Sequence, residues 1–142
     1  MAHIDTSGFE DFFREMQILG EDIDEIADEM LEAGAEVAVE AWKNVIKEHD
    51  YIDTGDMLAS VAPNKPTNLR SKKYKGPRSI EVYPQGEDRN GMSNAEKAYI
   101  LHWGTSNPKR RGSRFVDEVD DKAGRKIYEA MEQVMDEHLK KL

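Results

Sequence analysis

At 142 residues, with a formal net charge of −9 and no cysteine, the chain has the length of one domain. It excludes a disulfide framework, a thiolate metal site and a cysteine nucleophile. No apolar run approaches the roughly 20 residues that span a bilayer, and the acidic first residues are unlike a signal peptide, so an intracellular, soluble protein is expected. The charge is segregated: residues 1–56 hold 17 acids and 3 bases, residues 57–114 hold 4 and 12, and residues 115–142 hold 8 and 5. Two acidic ends around a basic middle make a dipolar domain that attracts copies of itself, opposite patch to opposite patch.

Ser7 and Glu10 have capping-box spacing, and Phe9, Phe12, Phe13 and Met16 recur at helical steps. This predicts an N-terminal helical extension over residues 1–20, interrupted by Gly20. From residue 21 the steps of three and four run through Ile23, Ile26, Met30, Leu31, Gly34, Ala38, Trp42 and Val45, which predicts an amphipathic helix ending near His49. Gly34 inside it costs about 1 kcal/mol relative to alanine and so marks a close contact. Thr54 and Gly55 form a turn, and residues 58–62 read as a strand ended by Pro63. Residues 64–77, with Lys65, Arg70, Lys72, Lys73 and Lys75, form a long basic loop or the tip of a hairpin. Residues 78–83 alternate polar and apolar side chains as a half-buried strand does.

Ser93 and Glu96 repeat the capping-box spacing, and a short helix through Ala98, Leu101, His102 and Trp103 stops at Gly104. Residues 105–112 read as a loop carrying Lys109, Arg110 and Arg111. The last helix starts at Ser113 or Arg114 and runs to Leu139, with Phe115, Val119, Ala123, Ile127, Met131, Val134 and His138 on one stripe. The order predicts a single α+β domain: long N-terminal and C-terminal helices packed on a small antiparallel sheet, with a short helix before the last loop.

Little in this pattern points to catalysis. His3, His49, His102 and His138 lie in separate segments without ligand spacing, and no nucleophile elbow, Walker loop or dinucleotide loop occurs. The crowded acids from Asp22 to Glu29 read as a solvated helix face, and His102 as a helix-end histidine and not a base. No enzyme activity, cofactor or metal is expected. Nucleic-acid binding is the alternative: Lys72, Lys73 and Lys75 with Tyr74, and Lys109, Arg110 and Arg111, have the chemistry to grip phosphate. The acidic pI of about 4.9 opposes it.

Three segments in order resemble the gene-product-ten-like family of tailed-phage proteins, also described as head–tail joining or tail-completion components. Thr54, Gly55, Ser60 and Val61 match its first motif, with Met57 at a leucine position and Leu58 replacing arginine. Ala98, Trp103, Gly104 and Thr105 match the second, where His102 replaces glutamate; Phe115 and Val116 match the third, with Arg114 in place of proline. The resemblance covers most of residues 21–140. It implies a structural subunit of a ring at the head–tail junction, made in the host cytoplasm and carried in the virion. The implied partners are other copies of the chain, neighbouring neck, tail-tube or tail-terminator proteins, and DNA that passes without specific binding. No membrane is implied.

Overall fold

The computed structural model describes residues 2–68, 78–106 and 109–142; Arg70, Lys72, Lys73 and Lys75 lie outside the described residues. The fold is α+β. Its central strand is β4 (Arg78–Pro84), the strongest alternating segment of the sequence. Strand β1 (Ala2–Asp5) pairs antiparallel along one side, with Ala2 opposite Val82 and Ile4 opposite Ile80. On the other side lie β2 (Val61–Pro63) and the two-residue β3 (Thr67–Asn68), both antiparallel to β4. Because facing residues share a side of the sheet, this register gathers Ala2, Ile4, Ile80 and Val82, all buried, toward the helices. The opposite side carries His3, whose Nδ1 lies 2.6 Å from Glu81 Oε1.

Two 26-residue helices build the core. Helix α2 (Ile23–Glu48) crosses the sheet and packs along α5 (Phe115–Lys140). The predicted stripes are the buried ones: Met30, Leu31, Trp42 and Val45 on α2 meet Phe115, Val119, Ala123 and Met131 on α5. Ile46 and Ala35, absent from the predicted stripe, are buried too. Asp22 caps α2 by accepting the Glu25 N–H at 3.2 Å. Polar clamps tie the helix pair at its rim: His49 Nε2 to Glu118 Oε2 at 2.8 Å, His138 Nε2 to Glu29 Oε2 at 2.9 Å, and Lys122 to Glu48.

Four expectations are corrected. The first 20 residues are not a purely helical extension, because Ala2–Asp5 enter the sheet and only Glu10–Ile18 form helix α1. Ser7 does not cap α1; Phe9 holds that position, and Glu10 accepts the Gly8 N–H at 2.9 Å. The strand expected from residue 58 is preceded by one helical turn, α3 (Asp56–Ala59). Gly55 at φ +86° redirects the chain there, and Arg89 fixes the Asp56 carboxylate through contacts of 2.9 Å from Nε and Nη2. Lastly, residues 105–112 are not a plain loop: β5 (Gly104–Ser106) and β6 (Lys109–Arg111) pair as a hairpin, with Thr105 opposite Arg110.

Gly34 sits where α2 approaches α5 most closely. A Cβ there would meet Ile127 Cγ2 at 3.1 Å and Met131 Cγ at 3.2 Å. Gly124, on the outer face of α5, has nothing within 4 Å. Gly34→Leu is therefore expected to lower stability by roughly 1–3 kcal/mol through overpacking. Gly124→Ala is expected to raise it by about 1 kcal/mol through helix propensity. Urea unfolding of the two variants checks both signs.

Candidate functional site

The surface that departs most from an ordinary soluble face surrounds helix α4 (Asn94–Trp103). Ser93 starts it by accepting the Glu96 N–H at 3.2 Å, as the spacing predicts. Its inner side buries Ala98 and His102 against the core, while its outer side presents Tyr99 at 66% exposure and Trp103 at 52%. Ile100, Met92 and Ile52 add exposed apolar area alongside. Scattered exposed apolar residues mean little, but a contiguous group on one helix and its flanks marks a contact surface.

Backbone crossing fixes where this helix ends. A Cβ on Gly104 would lie 2.2 Å from the Arg110 carbonyl oxygen, and one on Gly112 would lie 2.2 Å from the His102 carbonyl oxygen. Only glycine fits at either place, so the end of α4, the hairpin and the start of α5 pass through one another's van der Waals space. Gly104 takes φ +86° and ψ −172°, an extended mirror-image conformation and not the left-handed helical stop expected of it. The Arg114 N–H then bonds to the His102 carbonyl at 3.0 Å and the Ser113 N–H to the Leu101 carbonyl at 3.1 Å. Arg114, at φ +56°, turns the chain into α5 and lays its guanidinium 4.4 Å from the centre of the Trp103 ring.

His102 has a structural task that sequence reasoning missed. Its Nδ1 accepts the Val116 N–H at 3.3 Å, satisfying an orphan donor in the first turn of α5, where Arg114 supplies no cap of its own. Burial holds the imidazole below its ordinary pKa, with Arg114 adding to that and Asp117 opposing it. A neutral ring that accepts at Nδ1 carries its proton on Nε2. Phe115 beside it anchors an aromatic cluster with Trp42, Tyr51 and His49, at ring-centre distances of 5.8, 5.2 and 6.0 Å. In the first motif, Thr54 Oγ1 accepts the Asp56 N–H at 3.3 Å and the Ser60 hydroxyl donates to the Met57 carbonyl at 2.8 Å. Thr105 takes its place in β5.

Two hollows flank α4. A cleft of about 280 Å³ lies toward α5, with Tyr99 and Trp103 on one wall and Asp117 and Asp120 on the other. A wider groove of about 670 Å³ on the other side takes in Ile52, Thr54, Gly55, Met92, Ile100 and Arg110. Partial desolvation pushes the Asp120 carboxyl above its ordinary value, and Asp117 and Asp121 add to it.

Of the basic candidates, Lys109, Arg110 and Arg111 are exposed on β6 beside Trp103, and Lys65 is exposed after β2. None of the four makes an ion pair among the described residues. Other bases of the middle segment are already engaged: Arg78 with Asp28 at 2.5 Å, Arg89 with Asp56 at 2.9 Å, and Lys97 with Asp88. Among the described residues, part of the positive charge of the middle segment is thus already paired. Sequence reasoning also missed Gly112, Arg114 and Asp120 as shaping groups. A signal for Gly112 was present, since Gly104 and Gly112 bracket Pro108 symmetrically.

Among the described residues no group of three or more histidine or carboxylate side chains converges to hold a metal ion, and no helix is long and apolar enough to cross a membrane. Comparison with protein-family models, curated proteins and solved structures gives no match.

Gly104→Ala is expected to break the crossing, costing more than about 2 kcal/mol and loosening the hairpin, as measured by urea unfolding and amide exchange. The His102 cap is pH-sensitive in a defined direction. A depressed folded pKa contributes stability that is present above the unfolded value of about 6.5 and is lost as pH falls through the lower folded value. His3 works oppositely: bonding to Glu81 raises its pKa, so its contribution is full below about 6.5 and lost as pH rises through the folded value. His102→Asn keeps an acceptor near the Nδ1 position and is expected to remove this residue's share of the stability lost as pH falls below about 6.5. His102→Leu is expected to cost about 1 kcal/mol at pH 7.5.

Proposed function

We propose that this chain is a structural subunit of tailed-phage morphogenesis, working in a ring at the head–tail junction to complete the tail or join it to the head. The observation that carries the reading is the α4 surface. It sets exposed Tyr99, Trp103 and Ile100 beside the exposed cations Lys109, Arg110 and Arg111, which make no ion pair among the described residues, with an acidic helix face elsewhere on the same chain. Aromatic residues and arginine are the side chains that contribute most at protein interfaces. The motif order, from Thr54 and Gly55 through Trp103, Gly104 and Thr105 to Phe115, supports the same assignment by resemblance. Each of those positions has a shape-determining task in the fold, which accords with a chain whose product is a surface and not a reaction.

A second reading has a specific feature in its favour. Exposed Trp103 and Tyr99 next to three cations also make a platform on which nucleic-acid bases would stack. The two readings separate by experiment. Deleting the gene from the parent phage is expected to leave filled capsids beside unattached tails in electron micrographs of lysates. Triple substitution of Lys109, Arg110 and Arg111 to glutamate, at exposed positions, is expected to keep the fold and reproduce the deletion phenotype. Intact tailed particles from the deletion, together with DNA binding that weakens steeply with salt and vanishes in the triple variant, would transfer the assignment to nucleic-acid binding.

A further inference from the structure

The cleft between α4 and α5 has walls of opposite character. Tyr99 and Trp103 form an aromatic wall, Asp117 and Asp120 an acidic one, and Trp42 lies between them. The acidic wall makes no close ion pair: Asp120 has none among the described residues, and Asp117 Oδ1 is 4.0 Å from His102 Nε2, too far for a hydrogen bond. Carboxylates facing exposed indole and phenol rings are the chemistry that receives a guanidinium or ammonium group. The chain itself shows what Trp103 attracts, since Arg114 already stacks over that ring at 4.4 Å.

The donors in the same cleft narrow the occupant. His102 carries a proton on Nε2, because its Nδ1 accepts from Val116. The buried indole N–H of Trp42 has no acceptor among the described residues. A free organic cation brings only donors and leaves both groups unmet. An arginine residue within a polypeptide brings a guanidinium for the acidic wall and a carbonyl for the donors. The volume of about 280 Å³ admits one long side chain and not a helix.

We propose that this cleft is a receptor for a single arginine side chain presented by a partner polypeptide. The proposal rests on the assembly reading only in taking the occupant to be a protein. Trp42 and Trp103 are the two tryptophans of the chain and both line the cleft, so their indole N–H resonances report on it directly. The full-length protein, labelled with nitrogen-15, is titrated with acetyl-Gly-Arg-Gly-amide, with the same peptide carrying citrulline, and with 1,4-diaminobutane. Saturable shifts of the indole signals are expected with the arginine peptide. They are expected to weaken at least about tenfold with citrulline and with the doubly substituted Asp117→Asn, Asp120→Asn protein.

Tyr99→Ala, at an exposed position, is expected to weaken binding by a smaller factor. Arg14→Gln, on α1 with its side chain 72% exposed and away from the cleft, is expected to leave binding unchanged and serves as the folding-neutral control. Equal response to arginine and citrulline, or no saturable shift, overturns the proposal. Diaminobutane binding as tightly as the arginine peptide overturns the polypeptide occupant. Failure of the peptide titration alongside a clear deletion phenotype would reject the cleft and leave the assembly role standing.

Discussion

The closest constraint in the molecule is the place where backbone passes backbone at Gly104 and Gly112. Side-chain contacts can relax by rotamer changes, but a carbonyl 2.2 Å from a hypothetical Cβ has nowhere to go. This crossing sets the distance between the end of α4 and the start of α5. It thereby places the Trp103 ring under Arg114, the His102 acceptor against the first turn of α5, and Phe115 in the aromatic cluster. The cleft follows from the same fact, because its two walls are the outer side of α4 and the first turns of α5.

A second level of order comes from ion pairs that consume sequence charge. The sequence offers acidic ends and a basic middle, and charge blocks of that kind invite a picture of opposed patches. In three dimensions the blocks interleave. Arg78 of β4 grips Asp28 of α2 and Arg89 grips Asp56 at the start of α3, joining the middle block to the first, while within the middle block Lys97 meets Asp88, whose carboxylate also accepts the Asn90 and Met92 N–H groups at 2.9 Å each. The Lys97 ammonium, followed by those backbone donors, holds the Asp88 carboxyl below its ordinary pKa. These pairs act mainly as positional ties for loops with few apolar contacts, since partly exposed ion pairs contribute little net stability.

Periodicity made the large elements legible. The stripes of α2 and α5 extend over many turns, and the alternation in β4 is uninterrupted, so single exceptions such as Gly34 could not hide the pattern. Short elements were illegible for physical reasons. β1 has four residues, too few to display a period, and its stability comes from cross-strand partners in β4 that are distant in sequence. The hairpin of β5 and β6 carries Lys109, Arg110 and Arg111, residues that read as a solvated loop, and it is held by the crossing and not by an apolar face. α3 is a single turn of four residues, too short to display a helical period, and Arg89 holds the Asp56 carboxylate at its start.

The candidate surface was legible in parts and not as a whole. Lys109, Arg110 and Arg111 are visible as charge in any reading, and Trp103 as an aromatic before a glycine. What the sequence hides is that Asp117, in the first turn of α5 where acids favour the helix dipole, and Asp120 stand across a cleft from Tyr99 and Trp103. Helix-dipole acids are ordinarily solvated and satisfied where they are. Here the crossing brings an aromatic wall in front of Asp117 and Asp120, so carboxylates on the first turns of α5 also face an open cleft. The same first turn of α5 therefore answers to two demands. His102 satisfies its N–H group from inside, and its acids remain available outside. That division explains why a neutral, buried acceptor suits position 102: a carboxylate there would cap the helix as well, but would add a third negative charge behind a cleft that already holds two.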